Sequence, residues 1–165
     1  MKKIVFSGPE STGKTTLATK LALHLDEPLV AEYATYYLTV KATKYTLEDI
    51  SIILAGQLKW EDFFSKQAKE FLICDTDPLV LYVWAKDKFG FVPENIVSSL
   101  EKDNYDIRFL CPPDIPWNPG PFREDQGNRE RLYKSYLEAC HEFGLKKIEL
   151  WGTQEEKFET ILKVI

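Results

Sequence analysis

An eight-residue segment near the start of the chain, Gly-Pro-Glu-Ser-Thr-Gly-Lys-Thr from Gly8 to Thr15, constrains the fold more than any other feature. It fits the pattern GxxxxGK[ST] at every fixed position. Gly8 and Gly13 can take backbone angles that a side chain would forbid, so the loop can wrap tightly and turn successive N–H groups inward. The pattern therefore predicts a loop that binds phosphate oxygens.

The residues around this loop have the order that such a site needs. An apolar run at 3–7 predicts a buried strand, and apolar residues at helical spacing predict a helix over 14–25. The bound phosphates would then lie at a helix N-terminus. Lys14 would face the β- and γ-phosphates of ATP, and the Thr15 hydroxyl would bind Mg²⁺. The predicted nucleotide-binding residues are Gly8, Pro9, Glu10, Ser11, Thr12, Gly13, Lys14, Thr15 and Thr16.

Composition narrows the class of protein. The 165 residues suggest one domain, 1–165, which is long enough to bury a core without metal or disulfides. A net charge of −5 argues against a general nucleic-acid or acidic-membrane surface. The three cysteines lack metal-ligand or CxxC spacing, and no signal peptide or membrane span is seen, so a cytoplasmic protein is expected. The oligomeric state is left open.

Strands alternate with helices along the whole chain. This alternation predicts a parallel sheet with helices on both faces, because parallel strands need crossover connections. Strands are predicted at 3–7, 28–32, 70–75, 106–111 and 147–151, and helices at 14–25, 33–40, 47–68, 79–88, 93–102, 129–143 and from 153 onward. Thr46 is expected to cap the third helix. Three of the four tryptophans, Trp60, Trp84 and Trp151, are expected in the core.

Acidic residues follow two of the predicted strands, at the edge where ligands of such sheets bind. Asp75 is placed to hold Mg²⁺ opposite the loop hydroxyl, although a strand-end acid can instead cap the next helix. Asp77, which precedes a proline, suits a helix cap and a substrate ligand equally. Glu32 could orient an attacking hydroxyl and accept its proton, or be a solvated surface residue.

A segment rich in proline and glycine, 112–131, is predicted to be a lid over the phosphates. Arg123 and Arg129 are its candidate catalytic residues, because a guanidinium binds phosphate oxygens in pairs. Each arginine could instead be an ordinary surface charge. Trp117 lies in the same segment and could stack on a ligand.

Four segments together resemble one family: GPESTGKTTL, EYATYY, CDTDPLVLYVW and PDIPWNPGPFRED. In this order they are similar to the NadR-type ribosylnicotinamide kinase domains, which are small P-loop domains, and the resemblance covers nearly the whole chain. It implies a P-loop fold with strand order 2-3-1-4-5 and transfer of phosphate from ATP, with Mg²⁺, to the ribose 5′-hydroxyl of nicotinamide riboside. It also implies that Gly8 to Thr15 bind ATP and that Asp75 and Asp77 lie at the active centre.

Two positions depart from that family pattern. Thr35 stands where an arginine is expected, and Asn118-Pro119-Gly120 replaces an acidic pair before glycine. Both lie near the expected acceptor or lid. The sequence therefore predicts a three-layer α/β P-loop kinase acting on a small nucleoside-like substrate, most simply nicotinamide riboside. The alternatives are an ATPase or switch that acts on a protein partner, and a domain that binds nucleotide without catalysis.

Overall fold

The computed structural model describes residues 1–120, 123–124 and 127–165. Within them, strands and helices alternate as the sequence predicts. The strands are β1 (Lys2–Ser7), β2 (Leu29–Val30), β3 (Phe71–Asp75), β4 (Ile107–Leu110) and β5 (Ile148–Glu149). The helices are α1 (Lys14–Leu25), α2 (Tyr33–Lys41), α3 (Leu47–Ser65), α4 (Pro78–Phe89), α5 (Glu94–Glu101), α6 (Arg129–Glu142) and α7 (Gln154–Leu162).

The strands form one parallel sheet in the order β2-β3-β1-β4-β5, which confirms the predicted order. β1 is central, with β3 on one side and β4 on the other. Phe6 of β1 lies opposite Asp75 of β3 and Phe109 of β4. Because all strands run the same way, the loop after β1 and the acidic residue that ends β3 lie at the same edge of the sheet.

The sheet is covered on both faces, as a parallel sheet requires. On one face, Leu17 and Leu21 of α1 and Ile161 of α7 pack against Ile4 and Phe6. On the other face, Val5 and Cys74 pack with Trp60 of α3, and a larger apolar cluster joins α2, α3, α4, α5 and α6. The alternation of Ile4, Val5 and Phe6 between the two faces follows from the period of two along a strand.

The edge strands are shorter than predicted. β2 and β5 have two residues each, because each pairs with one neighbouring strand only. Trp151 therefore lies beyond β5 and is 56 % exposed, so the expectation that it belongs to the core is wrong. Within the described residues, no helix has both the length and the apolar character needed to cross a bilayer.

Helix starts follow the predicted capping chemistry. Thr46 and Asp49 form a capping box at the start of α3, each satisfying a backbone N–H of the other residue. Thr153 and Glu156 do the same for α7. The three cysteines are buried and free. Burial raises the pKa of the Cys111 thiol to about 12, so it behaves as a small apolar side chain.

Candidate active site

The loop between β1 and α1 has the backbone conformation that its glycines allow. Gly8 has φ 130° and Gly13 has φ 87°, both in the region that side chains disfavour. A Cβ on Gly8 would lie 2.5 Å from the carbonyl oxygen of Cys111, so the loop packs directly on the chain after β4. Ser11 also has positive φ, at 55°. The residues with positive φ alternate with residues of ordinary φ. Such an alternation turns successive backbone N–H groups toward one side, as an anion-binding nest requires.

Two side chains of the loop donate hydrogen bonds to the same backbone oxygen. The Thr12 hydroxyl donates to the carbonyl of Pro9 at 2.8 Å, and Lys14 Nζ donates to it at 2.7 Å. Thr12 is buried, whereas Lys14 is half-buried at the first residue of α1. Lys14 thus lies over the loop with its charge beside the N-terminus of α1. The lysine charge and the helix N-terminus both favour a bound anion at this place.

Asp75, the last residue of β3, faces this loop. Its side chain is 3 % exposed, and the Thr15 hydroxyl lies beside the carboxylate. Burial raises the pKa of Asp75 to about 6, although the nearby Thr15 hydroxyl and the Lys14 charge oppose this rise. Oδ1 of Asp75 is buried and has no hydrogen-bond partner among the described residues.

These two oxygens fit Mg²⁺. Mg²⁺ takes oxygen ligands and is usually held by one or two side chains together with waters and phosphate oxygens. An unpaired buried carboxylate oxygen beside a hydroxyl supplies such a pair. Among the residues that the structure describes, no cluster of three or more His, Cys, Asp or Glu side chains could hold a metal ion. A metal ion at Asp75 and Thr15 would therefore complete its shell with phosphate and water.

The raised pKa of Asp75 predicts a pH-dependent cost in stability. Between pH 3.8, the ordinary pKa of the group, and about 6, the folded protein keeps a proton that the unfolded chain releases. Stability therefore falls as pH rises through this window and is constant with respect to this group above it. We expect the free energy of unfolding of Asp75→Asn to exceed that of the natural protein by a margin that grows between pH 4 and 7 to on the order of 3 kcal/mol. Denaturant unfolding of both proteins in a chelator measures this difference, and a difference that does not change with pH would contradict it.

Glu32 follows β2 at the start of α2 and lies near Asp75, since its charge contributes to the raised pKa of that carboxyl. One oxygen of Glu32 accepts a hydrogen bond from the Thr35 hydroxyl at 2.8 Å. The other lies 3.5 Å from the Thr76 hydroxyl, which donates to it. Three strand ends thus bring the loop, Glu32 and Asp75 together, as expected for the carboxyl edge of a parallel sheet.

These groups line one cavity of about 430 Å³. The loop residues from Gly8 to Thr16, Glu32 and Asp75 form one end of it, and Arg123 also contacts it. The other part of the lining is mostly apolar and comes from α2, α4, α6 and the segment between α2 and α3. It consists mainly of Leu38, Tyr45, Val80, Val83, Trp84, Leu132 and Tyr136. The cavity therefore joins an anion-binding end to an aromatic chamber.

The aromatic chamber carries a polar rim that the sequence did not reveal. Trp84, expected in the core, is half-buried and donates from Nε1 to the Tyr45 hydroxyl at 3.2 Å. The Tyr45 hydroxyl in turn donates to Glu124 at 3.4 Å, and Lys88 pairs with Glu124 at 3.3 Å. Tyr45 and Trp84 rings meet edge to face at 4.9 Å. Trp84 and Glu124 lie in segments that carry the family resemblance, but nothing in the sequence shows that they meet Tyr45, because the three residues come from distant parts of the chain.

Asp77 lies outside this cavity. Its side chain is fully buried, accepts a hydrogen bond from the N–H of Val80, and pairs with Arg108 Nε at 2.9 Å. Arg108 also forms an ion pair with Asp103. Of the two roles considered for Asp77, the structure therefore supports the helix cap and does not bring the carboxylate to the place where a substrate would bind.

The described part of the predicted lid is tied to the loop. Arg129 donates to the carbonyl oxygens of Ser11 at 2.9 Å and Ile115 at 3.0 Å, and its guanidinium lies 5.7 Å from the ring centre of Trp117. The N–H of Asn118 donates to the Ser11 hydroxyl at 2.8 Å. Arg129 thus contacts the loop from outside the cavity, unlike Arg123, which donates to the Asn118 carbonyl and lines the cavity. Residues 121–122 and 125–126 of this segment lie outside the described residues.

A family model described as an AAA domain matches residues 3–157, which include every strand, the loop and Asp75. The chain belongs to this family. A search of curated proteins found no significant match. The AAA domain match covers Glu32 and Arg123 as well, so the whole cavity lies inside the family's region.

Solved structures with a similar fold include a NadR protein and two kinases. NadR protein in complex with NR superposes with a TM-score of 0.79 at 23 % identity, covering 98 % of this chain and 50 % of that one. Thymidylate kinase from Ehrlichia chaffeensis gives 0.74 at 17 % identity, covering 99 % and 97 %. Deoxyadenosine kinase from M. mycoides with bound dATP gives 0.63 at 15 % identity, covering 99 % and 98 %. The fold is shared with these three proteins, which confirms the predicted fold class, and the chain spans about half the length of NadR.

Proposed function

We propose that this protein is an ATP-dependent kinase that transfers the γ-phosphoryl group to a hydroxyl of a small nucleoside-like compound. One observation carries the proposal: a single cavity joins the loop with Lys14, Thr15 and Asp75 to an aromatic chamber, with Glu32 also lining it. Its volume of about 430 Å³ lies in the range of small-molecule sites. An enzyme that transferred phosphate only to water would not need such a chamber.

The residues divide the work of phosphoryl transfer. The loop N–H groups and Lys14 hold the β- and γ-phosphates, and Mg²⁺ held by Thr15 and Asp75 would neutralise charge on the transferring group. Glu32 orients the acceptor hydroxyl and can accept its proton. Arg123 lines the cavity from the proposed lid segment 112–131 and is placed to approach phosphate oxygens. Catalysis then consists mainly of positioning and charge stabilisation.

Nicotinamide riboside is our first candidate for the acceptor. The family resemblance of the four sequence segments supports it, and so does the similar fold of NadR, whose structure contains NR. The chamber supports an aromatic ring more generally, because Tyr45, Trp84 and Tyr136 offer ring surfaces on which a planar base can pack. Thymidine and deoxyadenosine are therefore the natural competitors.

A panel of acceptors with ATP labelled on the γ-phosphate tests this function. Nicotinamide riboside, thymidine, thymidylate and deoxyadenosine are each incubated with the protein, ATP and Mg²⁺, beside a reaction without acceptor. We expect a labelled product with at least one nucleoside, and the fastest transfer with nicotinamide riboside. ATP hydrolysis that is equal with and without every acceptor would instead indicate an ATPase or a switch.

Glu32→Gln should lower turnover with the preferred acceptor by about 10²–10⁴-fold, the usual contribution of a general base. The amide keeps the shape but cannot take the proton, and it lies outside the loop, so ATP binding should stay unchanged. Steady-state rates and ATP titration measure the two effects separately.

Glu70→Gln is the matched control, since Glu70 is exposed immediately before β3, at the opposite edge of the sheet from the cavity. It should leave both quantities unaltered. If Glu32→Gln keeps more than about half of the activity, transfer proceeds without a base, as a loose transition state permits.

A further inference from the structure

Thr76 has a backbone conformation that its residue type disfavours. Its φ is 102°, in the region where glycine is at ease and where a β-branched residue is a clear outlier. The residue is 2 % exposed and lies between Asp75 of the cavity and the buried Asp77. Strain of this kind persists where the surroundings determine the conformation, and it is concentrated at functional sites.

The neighbours of Thr76 hold it in place from both sides. Asp75 is in register with Phe6 in the sheet, and the N–H of Thr76 itself donates to the Phe6 carbonyl at 3.2 Å. On the other side, Asp77 caps α4 and is bound to the buried Arg108. The backbone at Thr76 is therefore set by β3 and α4. A glycine would adopt this conformation without strain. The backbone therefore does not explain why a threonine occupies the position, and its side chain must be considered.

That side chain reaches Glu32. The Thr76 hydroxyl lies 3.5 Å from Oε1 of Glu32, and the Thr35 hydroxyl lies 2.8 Å from Oε2. Each carboxylate oxygen thus faces one threonine hydroxyl and keeps lone pairs for an incoming acceptor hydroxyl. Hydrogen bonds of catalytic groups are often long until substrate is bound, so a distance of 3.5 Å suits a contact that tightens during the reaction.

We propose that Thr76 is a positioning residue for Glu32, kept in a strained backbone conformation because its hydroxyl orients that carboxylate toward the acceptor. The inference rests on the proposed kinase function, in which Glu32 receives the acceptor hydroxyl. Thr76 acts through Glu32 and does not touch the phosphates. Its loss should therefore affect turnover and leave the binding of ATP unchanged.

Three variants test the role of the Thr76 hydroxyl. Thr76→Val keeps the shape and the branching but removes the hydroxyl, and we expect kcat to fall about tenfold with KM for ATP unchanged. Thr76→Ser keeps the hydroxyl and should restore turnover to within about threefold of the natural protein. In a Glu32→Gln background, Thr76→Val should have no further effect on kcat. A kcat for Thr76→Val within twofold of the natural value, or full additivity with Glu32→Gln, would overturn the proposal.

Unfolding measurements provide a readout that does not depend on activity. Thr76→Gly should be at least as stable as Thr76→Val in denaturant, because glycine relieves the strained φ, yet it should be equally slow. A double-mutant cycle of Thr76→Val and Glu32→Ala in unfolding should show that the two side chains are coupled, because alanine, unlike glutamine, leaves no oxygen that could accept from the Thr76 hydroxyl. If the natural protein phosphorylates no acceptor while this coupling is present, the proposed kinase function fails and the contact stands. Absence of coupling in unfolding would refute the contact itself.

Discussion

Replacing Lys14 by alanine should abolish phosphoryl transfer while the protein remains folded. Lys14 is half-buried at the first residue of α1, lines the cavity and donates a hydrogen bond to the loop carbonyl of Pro9. Removing one group aimed at developing charge costs about 10²–10³-fold in rate, and Lys14 carries a full positive charge. We expect turnover with the preferred nucleoside to fall by at least that factor. The measurement is the rate of labelled product, with thermal unfolding to show that the fold is retained.

Lys20→Ala supplies the matched control for this substitution. Lys20 lies on the same helix but is exposed and points over the ring of Phe158, away from the cavity. Its loss should leave turnover within about twofold, because a surface charge at that distance is screened. Near-normal turnover in Lys14→Ala would contradict the proposed role of the loop in phosphoryl transfer and, with it, the kinase assignment.

Asp75→Asn should lower turnover by roughly 10²–10³-fold and weaken ATP binding far less. The reason is that a metal ion at Asp75 and Thr15 is most valuable when charge grows on the transferring phosphoryl group, whereas ground-state ATP is also held by the loop. The same reasoning requires that activity depend on Mg²⁺. Rates measured with and without a chelator, together with ATP titrations of the variant, test both parts.

Asp62→Asn is a suitable control, since Asp62 is an exposed carboxylate of α3 whose partner is the exposed Lys66. It should change neither rate nor affinity. Equal activity with and without chelator would contradict the assignment of Asp75 and Thr15 as ligands of a catalytic Mg²⁺. Together with the stability gain expected for Asp75→Asn above pH 6, a large loss of rate would show that the buried carboxylate is kept for catalysis at a cost in stability.

Much of the fold could be predicted because it depends on local patterns. The loop pattern identifies a strand before it and a helix after it, and the alternation of strands and helices leaves few topologies for a parallel sheet. The capping boxes at Thr46 and Thr153 are equally local. The two edge strands were predicted too long, since their length depends on how many partners a strand finds, which only the assembled sheet determines.

The candidate site was predictable in part for the same reason. Lys14, Thr15, Glu32 and Asp75 were placed together because each follows or ends a parallel strand, and the structure brings all four to one cavity. Asp77 and Arg129 occupy similar places in the sequence yet lie outside the cavity. Their partners are Arg108, 31 residues away, and Ser11, 118 residues away, which no local pattern indicates.

The sequence by itself determined that a phosphate-binding loop leads into a helix at the carboxyl edge of a parallel sheet, because glycine positions and apolar periodicity act over a few residues. Only the tertiary structure decided which side chains form the aromatic chamber and that Asp77, unlike Asp75, lies in the core away from the cavity. Tyr45, Trp84 and Tyr136 meet there because α4 and α6 pack together beside the segment between α2 and α3. Asp77 lies outside the cavity because its carboxylate pairs with the buried Arg108. Such choices depend on contacts between distant segments, and these form only when the helices pack on the sheet.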